Sequence, residues 1–257
     1  MVIDGVRRLA SGDSAQVAVR RDGTAWRWGE NAGGGSLDAV RQAQRLGSFG
    51  DFVDVAMTRY AAFLLRGDGT VWFWGRESGL GESGGAVRSG MTSGDTVLQV
   101  PGVQGVVALA TGNAHVLALK GDGTVWSWGS NNYAQLGYQG VMYSATAKAV
   151  PGVANVIAVA AGGQHSIALH ADGTVTTWGS VSDVRCQGTG QTPPLPARVA
   201  GVNDAVEVAA AGYYGTFIVR RDGSVWACGN NGANVLGLGA KDVNAQVPTR
   251  VPDLNLD

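Results

Sequence analysis

One short pattern returns five times along this chain and limits what it can become. Asp-Gly occurs at Asp22-Gly23, Asp68-Gly69, Asp122-Gly123, Asp172-Gly173 and Asp222-Gly223, spaced by 46, 54, 50 and 50 residues. Six residues after each aspartate stand Trp28, Trp74, Trp128, Trp178 and, in the last copy, Cys228, each followed by glycine. Ten residues before each aspartate stand Gly12, Thr58, Gly112, Gly162 and Gly212, with an alanine two places earlier in every copy. Self-similarity at this period marks units that cannot bury their own apolar face and must stack on their neighbours.

Each copy has the same grammar. A small-residue strand such as Val156-Ile157-Ala158-Val159-Ala160-Ala161-Gly162 leads into a short loop and then a second strand, as in Ser166-Ile167-Ala168-Leu169. Asp-Gly follows as a tight turn, because both residues tolerate the positive φ that hairpin turns require. A third strand carries the tryptophans, as in Thr124-Val125-Trp126-Ser127-Trp128. A polar, glycine-rich stretch then ends in a short fourth strand such as 147–150. No segment sustains a 3.6-residue period, so no major helix is predicted. In Trp-x-Trp both rings share one strand face, and a single sheet cannot cover them; a neighbouring sheet can. The expected fold is all-β: a closed β-propeller of five four-stranded blades. It forms one domain over 1–257, with repeats at about 6–51, 52–105, 106–155, 156–205 and 206–257. The C-terminal Pro252-Asp253-Leu254 aligns with the linker before a first strand, so the strand from Val6 is expected beside the segment 247–251.

The net charge of −1 offers no basic stripe for nucleic acid and no polybasic cluster for an anionic membrane. No apolar run is long enough to span a bilayer, and residues 1–12 lack a signal-peptide core, so a cytoplasmic or virion-associated chain is expected. Arginines outnumber lysines sixteen to three, the usage of a GC-rich bacterial or viral genome. Two cysteines, Cys186 and Cys228, are too few for a disulfide scaffold and read as unpaired thiols.

The third copy carries Ala110-Thr111-Gly112, His115, Ala118-Leu119, Gly121 to Gly129, Asn131-Asn132 and Gln135-Leu136-Gly137. That combination resembles the regulator of chromosome condensation repeat family, and the resemblance runs through nearly the whole chain. It implies four-stranded propeller blades, usually seven, where five are countable here. Thr58, Thr176 and Cys228 depart from the pattern, and the Asn-x-x-x-Gln-Leu-Gly element is degraded in copies one, two and four. Nucleotide-exchange and nucleosome-binding roles known in the family do not carry over. The repeat lengths leave no room for an inserted β-wedge, and no basic tail is present.

No nucleophile elbow, acid pair, phosphate loop or metal-ligand spacing stands out, so no enzyme, catalytic residue, cofactor or metal is expected. His115 and His165 hold the family's His-Ser position, where a hydrogen-bonded frame residue is the simplest reading. Arg20, Arg66, Lys120, His170 and Arg220 precede the Asp-Gly turns and form a ring of charge that the adjacent aspartates neutralise. The loops between first and second strands differ from copy to copy. They supply the expected partner-binding residues: Arg59, Tyr60, His115, Gln164, His165, Tyr213 and Tyr214. Tyr133, Tyr138, Met142 and Tyr143 form a second aromatic cluster in copy three. Tyrosine and arginine at variable positions point to a protein partner, with a surface glycan or receptor of an adhesin or virion component as the alternative.

Overall fold

The five Asp-Gly turns each close a hairpin between the second and third strands of a separate sheet. In the computed structural model, residues 4–29, 40–59, 61–75, 96–180, 185–188, 195–213, 215–232, 234–239 and 244–256 are described. The first blade comprises β1 (Val6–Ser11), β2 (Ala15–Arg20), β3 (Ala25–Gly29) and β4 (Val40–Leu46). The second comprises β5 (Phe52–Met57), β6 (Ala61–Arg66), β7 (Val71–Gly75) and β8 (Leu98–Gln99). The third comprises β9 (Val106–Thr111), β10 (His115–Lys120), β11 (Val125–Ser130) and β12 (Tyr143–Ala149). The fourth comprises β13 (Val156–Ala161), β14 (His165–His170), β15 (Val175–Gly179) and β16 (Ala197–Arg198). The fifth comprises β17 (Ala205–Ala211), β18 (Gly215–Arg220), β19 (Ser224–Gly229) and β20 (Ala245–Asn255). All five sheets are antiparallel meanders in chain order, which makes the molecule a β-propeller of five four-stranded blades.

The Asp-Gly turn is more than a hairpin. The Asp122 carboxylate accepts hydrogen bonds from the Thr124 amide at 3.0 Å and the Thr124 hydroxyl at 2.6 Å, and the other four turns repeat this with Thr or Ser. These bonds hold every turn aspartate below the usual carboxylate range. Gly123 has φ of 77°, and its carbonyl accepts the amide of Val156, the first residue of the next blade, at 3.0 Å. Gly23, Gly69 and Gly173 bind Phe52, Val106 and Ala205 in the same way, so each turn also sets the start of the following blade. Every first strand carries a bulge one residue in, leaving Arg7, Val53, Val107, Ile157 and Val206 out of the ladder.

Blades pack through the alternating faces of their strands. β1 lies on β5, β5 on β9, β9 on β13 and β13 on β17. Trp74, Trp128 and Trp178 are fully enclosed, each facing the preceding blade; Trp128 meets Phe63 edge-on at 5.7 Å. The first tryptophans Trp26, Trp72 and Trp126, and the lone Trp226, are only half-buried; Trp26, Trp72 and Trp226 cap the turns by donating to Thr24, Thr70 and Ser224. Trp28, on the first blade's outer face, is also half-buried. The expected pairing of the Val6 strand with 247–251 is not found among the described residues. β1 pairs with β2 and β20 with β19, and no packing of comparable extent joins the fifth blade to the first. Instead the Leu256 amide binds the Gly223 carbonyl, as the first residue of a following blade does elsewhere.

The cysteines correct the sequence reading. Cys186 and Cys228 form a disulfide with Cα atoms 5.4 Å apart, both buried. They stand 42 residues apart on different blades, and only the folding of the loop after β15 onto β19 brings them together.

Candidate interaction face

On the face opposite the Asp-Gly turns, the first strands end and short loops return to the second strands. The loops begin at the repeated glycine position, where the Gly112 and Gly162 amides bind the carbonyls of His115 and His165 at 3.0 and 2.9 Å. A Cβ on Gly112 would overlap the His115 ring of its own loop and the Gly162 carbonyl of the next blade, and together these demand glycine here. Thr58 departs from the pattern but keeps the backbone bond, its amide donating to Ala61 O at 2.9 Å, and its hydroxyl adds contacts at 3.1 and 3.2 Å to the Ala61 amide and carbonyl.

Beyond this frame the loops are laced to each other. The Arg59 amide donates to Asn113 O at 3.0 Å, Asn113 to Gly163 O at 3.3 Å, and Gly163 to Gly212 O at 2.7 Å. Side chains add two links: Arg59 pairs with Asp13, and the Asn113 amide donates to the Tyr213 hydroxyl. The Tyr213 ring lies where a Cβ on Gly163 would be, yet half of the residue is exposed. Together these loops border a cleft of about 290 Å³, to which all five blades contribute, among them Asp13, Arg59, Asn113, Gly163 and Tyr213.

The structure sorts the residues singled out in the sequence. Arg59 and Tyr213 are exposed at the cleft, whereas Gln164 is half-buried and does not line it. Tyr60 and Tyr214 lie outside the described residues. His115 and His165 do not belong to the surface: they are 0% and 1% exposed. Their Nε2 atoms meet Ser166 Oγ at 3.0 Å and Thr216 Oγ1 at 3.2 Å, each on the next blade. Burial drives their pKa values down to about 3 and about 4, with the neighbouring His165 also opposing charge on His115. They are neutral blade-to-blade connectors, and the expectation that they touch a partner is corrected. Asp13 and Asn113, which belong to the same variable loops but not to the expected binding set, also reach the cleft. Their roles depend on which loop lies next to which, and one copy read alone carries no such signal.

On the other face three members of the charge ring pair with their turn aspartates as expected, while Arg220 lies 3.6 Å from Asp204 instead. Arg20 binds Asp22 and Asp4 at 2.7 and 2.9 Å, Arg66 binds Asp51 and Asp68 at 3.1 and 3.3 Å, and Lys120 lies 3.7 Å from Asp122. His170 breaks the series by turning inward, with Nδ1 at 2.8 Å from Ala154 O and Nε2 at 2.7 Å from Thr176 Oγ1. Thr176 stands where other copies have their first tryptophan, so the two departures answer each other. In copy three the aromatic loop is well built: Asn131 bonds Tyr138 O, Val141 O and the Leu136 amide, while Tyr133, Met142 and Tyr143 are exposed.

Comparison with known proteins follows the same repeats. A model of the regulator of chromosome condensation (RCC1) repeat matches residues 122–169 and 222–256, and a second model of that repeat matches 106–135, 156–183 and 206–234. Jointly they span half of the chain. The E3 ubiquitin-protein ligase HERC2 of Homo sapiens is 30% identical over 146 residues, which is 49% of this chain and 3% of that protein. Among solved structures, yeast RCC1 (Prp20) bound to Kap60 superposes with a TM-score of 0.82 at 22% identity, covering 96% of this chain and 61% of the other. Human WBSCR16 gives 0.82 at 22% identity, covering 98% and 68%. The chain therefore spans a small fraction of the ligase and roughly two thirds of the solved propellers.

Proposed function

We propose that this chain, which belongs to the regulator of chromosome condensation repeat family, is a non-catalytic protein-interaction module that grips a protein partner with its inner-loop face. The observation that carries this reading is the cleft where loops of all five blades meet. The surrounding strands are held by a repeated frame, whereas these loops differ in chemistry from copy to copy. Loop-to-loop hydrogen bonds hold the rim in place before a partner arrives, which reduces the ordering cost of binding. Arg59 and Tyr213 supply the residue types that anchor protein interfaces, and Gln164 adds an adaptable polar contact. The related yeast protein is described in complex with Kap60 and by its binding to Gsp1p and histones, so protein partners have precedent on this fold.

The test is capture of the partner from the native source by the tagged chain, followed by capture with Arg59→Glu and Tyr213→Ala variants. Both substitutions are at exposed positions, and unchanged melting temperatures should show that the propeller is intact. The expected outcome is a loss of affinity of tenfold or more, on the scale of one removed anchor. Full capture by both variants, with loss on Tyr133→Ala and Met142→Ala, places the site on the loop of the third blade instead. Retention of a glycan in place of a protein overturns the reading.

A further inference from the structure

The joint between the third and fourth blades shows how this repeat locks one blade to the next. The loop after β11 is organised by Asn131, whose Oδ1 accepts the Leu136 amide at 2.9 Å, and by Ser127, whose hydroxyl donates to Leu136 O at 2.7 Å. That loop lies over the fourth blade: Gln135 O accepts the indole N–H of Trp178 at 2.9 Å and the Ser166 hydroxyl at 2.8 Å. Leu136 and Trp178 are both 0% exposed. Asparagine, leucine and tryptophan together make the lock.

Fifty residues further on, at the joint between the fourth and fifth blades, all three are replaced. The sequence has Val181 for the asparagine, Cys186 for the leucine and Cys228 for the tryptophan. The loop is still held by hydrogen bonds, on partners of its own. Thr177, the counterpart of Ser127, donates to Arg185 O at 2.5 Å, and Gln187 Nε2 binds Thr177 O at 2.9 Å and Ala197 O at 3.2 Å. Two small side chains cannot fill the space of Leu and Trp by contact alone, but they meet, and they are bonded. Both sulfurs sit in the core cluster that joins Ile167 and Leu169 to Ile218 and Val225.

We propose that the Cys186–Cys228 disulfide replaces the Asn–Leu–Trp lock at this joint and makes the seating of the fourth blade's loop on the fifth blade depend on redox state. In forming it, two thiols lose two protons and two electrons to a disulfide acceptor, either a dithiol–disulfide oxidoreductase or a small-molecule disulfide, which leaves as two thiols. Reduction by a dithiol is the reverse reaction. Neither cysteine alone can make the lock, so the bond requires that the chain fold or mature where thiols are oxidised. Reduced, the joint keeps two thiols where its neighbour has leucine and tryptophan, and the loop loses its covalent tie to β19 while keeping hydrogen bonds such as those of Thr177 and Gln187 and that of the Gly188 amide to Gln246 O at 2.8 Å. The joint between the third and fourth blades contains no cysteine and is indifferent to reductant.

The experiment uses the purified full chain with and without a phosphine reductant. Alkylation after denaturation reads the free thiols. Trypsin reads the loop, since Arg185 is 5% exposed next to the bond. Without reductant no thiol is expected to alkylate, and the bond after Arg185 should resist cleavage. Reduction should lower the melting temperature by about 5–10 °C and open that site, while peptides of the third blade stay protected. A Cys186→Leu, Cys228→Trp variant, which restores the residues of the neighbouring joint, should melt at one temperature with or without reductant. Should it fail to fold, a Cys186→Ala, Cys228→Ala variant should match the reduced native chain. Two reactive thiols in the folded, unreduced chain overturn the proposal. So does a reductant that leaves both the melting temperature and the Arg185 site unchanged.

Discussion

The two faces of the propeller are made from opposite ends of the same strands, and they follow different rules. On the Asp-Gly face every copy repeats one set of bonds: carboxylate to Thr or Ser, and in the first four copies glycine carbonyl to the next blade's first amide. On the inner-loop face the contacts at the rim, among the described residues, differ from loop to loop. Asp13 pairs with Arg59, Thr58 bonds its own loop, and Asn113 reaches across to Tyr213. The difference teaches where packing dictates sequence and where it does not. A residue that recurs at each blade is answering to its neighbour blade, whereas a residue that varies at a fixed backbone position is available to something outside.

The largest effect expected from this comparison falls on the recurring frame. Trp128→Ala removes a ring that is 1% exposed and sits edge-on to Phe63 between two blades. It should cost about 3–5 kcal/mol, read as a lowered denaturant midpoint. A cost below about 1 kcal/mol would mean that the recurring aromatic is not what joins the blades.

A smaller effect should come from the histidine connectors, which lie beneath the variable face but belong to the frame. Their folded pKa values, about 3 and about 4, lie below the ordinary value of 6.5. The unfolded chain therefore binds protons that the folded chain refuses. Stability should be full above about pH 6.5 and should fall as the pH drops toward 4. The loss per histidine is up to about 1.4 kcal/mol for each pH unit. The turn aspartates titrate lower, because Thr and Ser donors depress them, so the window from 6.5 to 5 reports the histidines. Urea titrations across that window should show the decline, and a His115→Gln, His165→Gln variant should flatten it. A native chain equally stable at pH 7 and pH 5 would remove the connectors from the account.

Most of the frame was legible because it is periodic. The turn glycines, the strand order and the buried Trp74, Trp128 and Trp178 all follow from spacing alone. The half-buried Trp26 and Trp72 were not legible, since alternation assigns a face but not a depth, and their indoles lie at the sheet margin over turn hydroxyls. The bulges were hidden because an extra unpaired residue leaves the repeat length unchanged. The disulfide was hidden for a different reason: Cys228 reads as a lost tryptophan until the loop that reaches it is placed. At the candidate site, variability drew attention to Arg59 and Tyr213 correctly as exposed positions, but it also swept in His115 and His165. Those two recur in adjacent copies, and that recurrence was itself the sign that they belonged to packing.

The central claim is that the variable face, rather than the repeated one, meets the partner, and amide hydrogen exchange with and without the captured partner tests it most directly. The account predicts slowed exchange at residues 58–61, 112–115, 162–165 and 212–215, with the Asp-Gly turns exchanging as they do in the free chain. Protection confined to residues 20–24, 66–70, 120–124 and 220–224, with the inner loops unchanged, would contradict it.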